Sequence, residues 1–70
     1  MKETFLPAST NISQVDYDGD SQTMMITFKD GRAWEYAGVP EDVYLAFQRA
    51  PSAGSFFYRQ VRGRFPEQEV

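Results

Sequence analysis

Apolar and polar positions alternate in three stretches before the period changes. Over residues 11–17, Ser13, Val15 and Tyr17 fall on one face and Ile12, Gln14 and Asp16 on the other, the two-residue period of a strand. Asp18-Gly19-Asp20-Ser21 is a cluster of turn formers. Residues 23–28 read as a second strand, with Met24, Ile26 and Phe28 opposite Thr23, Met25 and Thr27. Residues 33–37 read as a third, with Trp34 and Tyr36 on a common side. Between the last two, Lys29-Asp30-Gly31 is a hairpin signal. A two-residue Asp30-Gly31 loop would set Thr27 opposite Trp34 and split the large apolar residues between two faces. A three-residue loop, with Gly31 in the left-handed region, sets Ile26 opposite Trp34 and gathers Met24, Ile26, Phe28, Trp34 and Tyr36 on one face. The second register is preferred, because it gives an antiparallel sheet buried on one side only.

After Gly38 the spacing lengthens. Pro40 suits a first helical position, and Glu41 and Asp42 complement the dipole in the first turn. Val39, Val43, Phe47 and Ala50 form one apolar stripe, and Pro51 ends the helix. Ser52 is a cap for a second helix running to about Arg62, closed by Gly63. Phe57 and Val61 face the core, and Arg59 and Arg62, three apart, share an exposed face. The expected fold is α+β: a small three-stranded antiparallel sheet in the order β-β-β-α-α, with two short C-terminal helices on one face. Residues 1–9 read as a poorly ordered lead-in, 10–66 as the single domain and 67–70 as an acidic tail.

Composition narrows the function classes. With 70 residues, a chain buries only roughly 60% of its unfolded surface, which leaves little room for a deep catalytic cleft. There is no His and no Cys, hence no imidazole base, no thiolate nucleophile and no ligand of the usual zinc type. Ser52, Ser55 and Tyr58 lack a nearby base to activate them, so no enzyme, cofactor or metal is expected. No apolar run is long enough to span a bilayer, and the start of the chain does not read as a signal peptide. A cytoplasmic location and no membrane partner follow by default. Asp16, Asp18 and Asp20 resemble the opening of a calcium loop, but Gly19 and Thr27 stand where that loop would need other residues.

The net charge of −3 conceals an asymmetry. Residues 1–48 carry three cations against eight acids, a net of −5, whereas residues 49–64 carry Arg49, Arg59, Arg62 and Arg64 with no acid. A basic segment on an acidic body hints at an anionic partner.

Gly38-Val39-Pro40, Val43-Tyr44, the run from Ser52 to Phe57 and Arg62-Gly63-Arg64-Phe65 together resemble the KTSC domain family. Ser13, Val15, Tyr17-Asp18 and the hairpin from Thr27 to Gly31 fit the same pattern. The resemblance covers roughly residues 9–66. The family takes its name from the C-terminal end of some lysyl-tRNA synthetases and also occurs as short stand-alone bacterial proteins. Its usual mid-sequence Tyr-x-Tyr here reads Trp34-Glu35-Tyr36, so a ring is kept and a hydroxyl lost. The resemblance implies RNA or tRNA as a partner, by association with a tRNA ligase.

The residues themselves offer one principal candidate site: Arg59, Arg62 and Arg64 with Tyr58 and Phe65. Arginine neutralises phosphate and stacks on rings, and exposed rings stack single-stranded bases. The competing reading pairs these guanidiniums with the chain's own Asp16, Asp18 or Asp20. Trp34 and Tyr36 are secondary stacking candidates, and in the preferred register they face the core. The expected function is a small non-enzymatic binding module, an RNA-binding accessory domain. The alternative is a protein-interaction module whose Arg face docks on an acidic protein surface, or whose sheet edge accepts a strand.

Overall fold

A computed structural model describes residues 2–70. Five antiparallel strands form one meander, with neighbours in chain order. They are β1 (Lys2–Phe5), β2 (Ile12–Asp18), β3 (Thr23–Phe28), β4 (Ala33–Tyr36) and β5 (Glu67–Glu69). The fold is α+β as expected, but with five strands rather than three. The two added strands are the sheet's edges. β1 lies in the segment expected to be a lead-in and pairs Glu3 with Tyr17 and Phe5 with Val15. β5 lies in the segment expected to be an acidic tail and pairs Glu67 with Tyr36 and Glu69 with Trp34. Met1 lies outside the described residues.

The preferred hairpin register is the observed one. Ile26 faces Trp34, and the Phe28 amide donates to the Arg32 carbonyl at 2.8 Å. Gly31 at φ +93° supplies the left-handed residue of the three-residue loop. One face assignment changes. The β2–β3 register shifts between Ile12 and Gln14, so Ser13 is an extra residue on the strand. That bulge turns Ile12 inward, where it is buried with Val15 and Tyr17, instead of outward with Gln14 and Asp16.

Helix α1 (Glu41–Arg49) begins one residue later than Pro40 suggests, because Pro40 is its extended N-cap. Its buried residues are Tyr44 and Phe47, so Tyr44 joins the stripe while Val43 is only half-buried. Helix α2 (Ala53–Phe56) has Ser52 as its cap, the hydroxyl accepting from the Ser55 amide at 3.3 Å. The chain then widens into a π turn, Phe57–Val61, whose closing bond runs from the Arg62 amide to the Phe57 carbonyl at 2.8 Å. Gly63 at φ +75° turns the chain back toward β5.

The core lies between the inner sheet face and the helices. Its largest buried members are Tyr17, Tyr36, Tyr44 and Phe47. Tyr17 and Tyr44 stack with centroids 4.6 Å apart and planes 10° apart. The Tyr17 hydroxyl donates to the Val39 carbonyl at 2.6 Å, and the Val39 amide donates to the Gln22 carbonyl at 2.8 Å. The strand-to-helix connection is thereby held from both sides. No helix among the described residues is long and apolar enough to cross a membrane.

Candidate functional site

The π turn and the β4–β5 edge do not close over the sheet. They leave a pocket of about 350 Å³, near the lower end of the ~300–1,000 Å³ typical of small-molecule sites. Its floor is aromatic: Phe28 and Trp34 are half-buried, and Tyr36 and Phe57 are buried. Phe57 packs edge-on against both Phe28 and Tyr36, at 5.5 and 5.8 Å between centroids. Tyr58 forms one wall and is 57% exposed. The Arg62 guanidinium lies over the Tyr58 ring, 5.3 Å from its centroid, a cation–π arrangement that holds both side chains at the rim.

Four charged residues line this pocket: Asp30, Arg32, Arg62 and Glu67. Two of them are committed. Arg32 forks onto Glu69, with Nε–Oε2 at 2.8 Å and Nη2–Oε1 at 3.0 Å. That pairing raises the Arg32 pKa and lowers that of Glu69. The Asp30 carboxylate accepts from the Arg32 amide at 3.0 Å and so fastens the hairpin turn. Glu67 lies beside the Tyr36 phenol, its pairing partner across β4 and β5. Burial first, and then the neighbouring Glu67 carboxylate, push the Tyr36 pKa well above the usual phenol range, while Arg62 opposes the shift.

The expected site residues are distributed more widely than the sequence suggested. Arg62 and Tyr58 line the pocket together with both secondary stacking candidates, Trp34 and Tyr36. Arg59 instead lines a separate depression with Ser55 and Phe56. A π turn holds more residues per turn than an α-helix, so positions three apart no longer stand one above the other. Arg62 has moreover left the helix, at φ −62° and ψ 124°. Arg64 lies in the turn that follows, its amide donating to the Val61 carbonyl at 3.0 Å. Phe65 is half-buried and packs against the core, which leaves Tyr58 as the exposed ring.

The acidic turn does not claim the arginines. Asp16 is engaged by the Thr4 hydroxyl at 2.6 Å and the Gln14 amide at 3.0 Å. Among the described residues the ion pair is Arg32–Glu69, and Arg59, Arg62 and Arg64 make none. Sequence reasoning missed Phe28, Arg32 and Glu67 as parts of one pocket. The two-residue spacing of Arg32, Trp34 and Tyr36 was a usable signal, since alternation puts all three on one face and the three-residue loop puts Phe28 on that face with them. Nothing in the chain near Glu67 marked it as the neighbour of Tyr36. No group of three or more acidic residues suited to holding a metal ion occurs among the described residues.

Known proteins place these features in context. A profile described as the KTSC domain matches residues 8–65. The lysine–tRNA ligases of Nostoc punctiforme and Trichormus variabilis are 33% and 30% identical to the chain over 64 residues. In each case the match takes in 91% of this chain but only 11% of the ligase, so the chain spans about a tenth of the length of these relatives. The crystal structure of a KTSC domain protein from Yersinia pestis superimposes with a TM-score of 0.90 at 30% identity, covering 100% of this chain and 99% of that one.

Proposed function

The chain belongs to the KTSC domain family, and on that premise we propose that it is a small non-enzymatic module that binds RNA weakly through its C-terminal arginines and the exposed Tyr58 ring. The observation that carries this reading is the set of arginines without carboxylate partners. Arg59, Arg62 and Arg64 are all exposed, and none makes an ion pair among the described residues. Their charge is thus available to phosphate, while Tyr58 offers a face for a base. The lysine–tRNA ligase relatives support the same direction by association only. Three arginines make such binding salt-sensitive, with log K falling by about 2 per decade of salt at ~0.7 per phosphate neutralised on a single strand. RNA, tRNA included, is the partner this reading assigns, and the cytoplasm is where it would be met.

The test is a map of backbone amide shifts on adding total tRNA at low and then physiological salt. The expected footprint runs over residues 56–66 and fades as salt rises. Arg62→Ala combined with Arg64→Ala should weaken binding about equally across RNA sequences. An unshifted spectrum at low salt ends the RNA reading. A partner that survives nuclease treatment and moderate salt in a pull-down would move the Arg face to the acidic-protein reading.

A further inference from the structure

The ring-floored pocket has a more specific chemistry than phosphate binding, and its argument rests on the RNA reading above. Arg32 is neutralised by the Glu69 fork, and Asp30 is occupied by its own turn. Asp30 keeps its charge in that turn, and one cation and a second anion face the space: Arg62 at the Tyr58 rim and Glu67 beside Tyr36. With Asp30 and Glu67 set against a single unpaired cation, the pocket does not favour a phosphate. It suits a neutral planar ligand that carries donors on one edge and acceptors on another. The half-buried Trp34 and the exposed Tyr58 supply the flat apolar surfaces for such a ring.

We infer that the pocket bounded by Trp34, Tyr58, Arg62 and Glu67 takes a single unstacked guanine base of a bound RNA. Among the four bases guanine fits this pair of groups best. Its N1–H and N2 amino group face a carboxylate, and its O6 and N7 accept from an arginine fork. Adenine and cytosine offer an amino donor to Glu67 but lack the paired O6/N7 acceptors for Arg62. Uracil has no amino donor. The phosphates flanking the base then lie outside the pocket, where Arg64 and Arg59 are exposed to solvent. The π turn brings this arrangement about, because it places Tyr58 and Arg62 against the sheet rather than along the helix face that carries Arg59.

Trp34 is the chain's single tryptophan, so its fluorescence reports on this pocket alone. The full chain is titrated with guanosine, adenosine, cytidine and uridine, which carry no phosphate, and then with a short single-stranded RNA containing one guanine. Guanosine is expected to quench Trp34 saturably and about tenfold more tightly than the other three, with little dependence on salt. Glu67→Gln is expected to erase that preference. Arg62→Lys, which keeps the charge but loses the fork, is expected to reduce the preference while leaving the salt slope of RNA binding in place. Amide spectra of both variants confirm that the fold survives. Equal response to all four nucleosides overturns the guanine assignment. RNA that shifts residues 56–66 while Trp34 stays silent to every nucleoside and to the RNA overturns the pocket and leaves the RNA reading standing. A guanosine response without any RNA binding upholds the pocket and removes the RNA reading.

Discussion

The two ends of the sheet are built from the same material and finished differently. At one end Tyr17 and Tyr44 stack at 4.6 Å, and Phe5 from β1 packs against Tyr44 and Phe47 at 5.7 and 5.6 Å. An edge strand and a full helix seal these rings. Acids surround that end: Glu41, Asp42, Glu3 and Asp18 act on Tyr17, and Glu3 and Asp16 on Tyr44. At the other end Phe28, Trp34, Tyr36, Phe57 and Tyr58 form the floor and one wall of an open pocket. The covering element there is a π turn, and its lining carries both Arg62 and Glu67 without an ion-pair partner among the described residues. Rings alone therefore do not make a site. A ring becomes available to a ligand where the element above it stops short.

The sharpest way to break this comparison is to truncate a sealed ring. Tyr17→Ala or Tyr44→Ala should cost about 3–5 kcal/mol, the range for a large buried aromatic. In a domain of marginal stability that comes close to unfolding it, and urea midpoints read the loss. If either variant is as stable as the parent chain, the sealed end is not the structural half.

Alkaline pH tests the same end without mutation. Burial first, and then the surrounding acids, raise the pKa values of Tyr17 and Tyr44, and burial with Glu67 raises that of Tyr36. A raised folded pKa means stability that is fully present below the unfolded phenol value of about 10. It is lost as pH rises from there through the folded value. The urea midpoint should hold to about pH 9 and then fall. Tyrosinate absorbance from these three residues should grow only with unfolding. Ionisation of all tyrosines within an intact fold would contradict the burial.

Two smaller substitutions separate the stacked pair. Tyr17 donates to the Val39 carbonyl, whereas the buried Tyr44 hydroxyl has no hydrogen-bond partner among the described residues. Tyr17→Phe should cost about 1–2 kcal/mol because it orphans a buried carbonyl. Tyr44→Phe should be neutral or stabilising by up to ~1 kcal/mol, since it removes an unsatisfied buried group. Equal effects from the two would erase the distinction. The smallest stability effect belongs to the open end. Tyr58→Ala should shift the unfolding free energy by no more than about 0.5 kcal/mol yet weaken RNA binding severalfold, at ~1–3 kcal/mol per stacked base. A large stability loss with unchanged binding would make Tyr58 a structural ring like those at the sealed end.

Much of the middle of the molecule was legible from local pattern. Strands β2, β3 and β4, the hairpin register through Gly31, the Ser52 cap and the inward positions of Phe57 and Val61 each follow from interactions within a few residues of the chain. Alternation, a left-handed turn residue and a capping hydroxyl act locally, so they are written locally. The same holds for the basic segment, whose charge is a property of composition.

The tertiary structure decided the rest, and the reasons are specific. β1 and β5 are edge strands that carry Lys2, Glu3, Glu67 and Glu69. Their backbone hydrogen bonds hold them in the sheet, and charged side chains on an edge leave no hydrophobic period to read. The bulge at Ser13 reverses one residue's face without altering composition, and the π turn moves Arg62 and Arg59 to different surfaces by widening one turn of helix. The candidate pocket depends on both kinds of event. Glu67 reaches Tyr36 only because β5 returns across the sheet, and Arg62 shares the pocket with Phe28 and Trp34 only because the end of the helix packs over that part of the sheet. By itself the sequence determined which residue types this protein has to work with and most of its local elements. Which of those residues meet was decided by long-range pairing between chain segments whose separation no local period records.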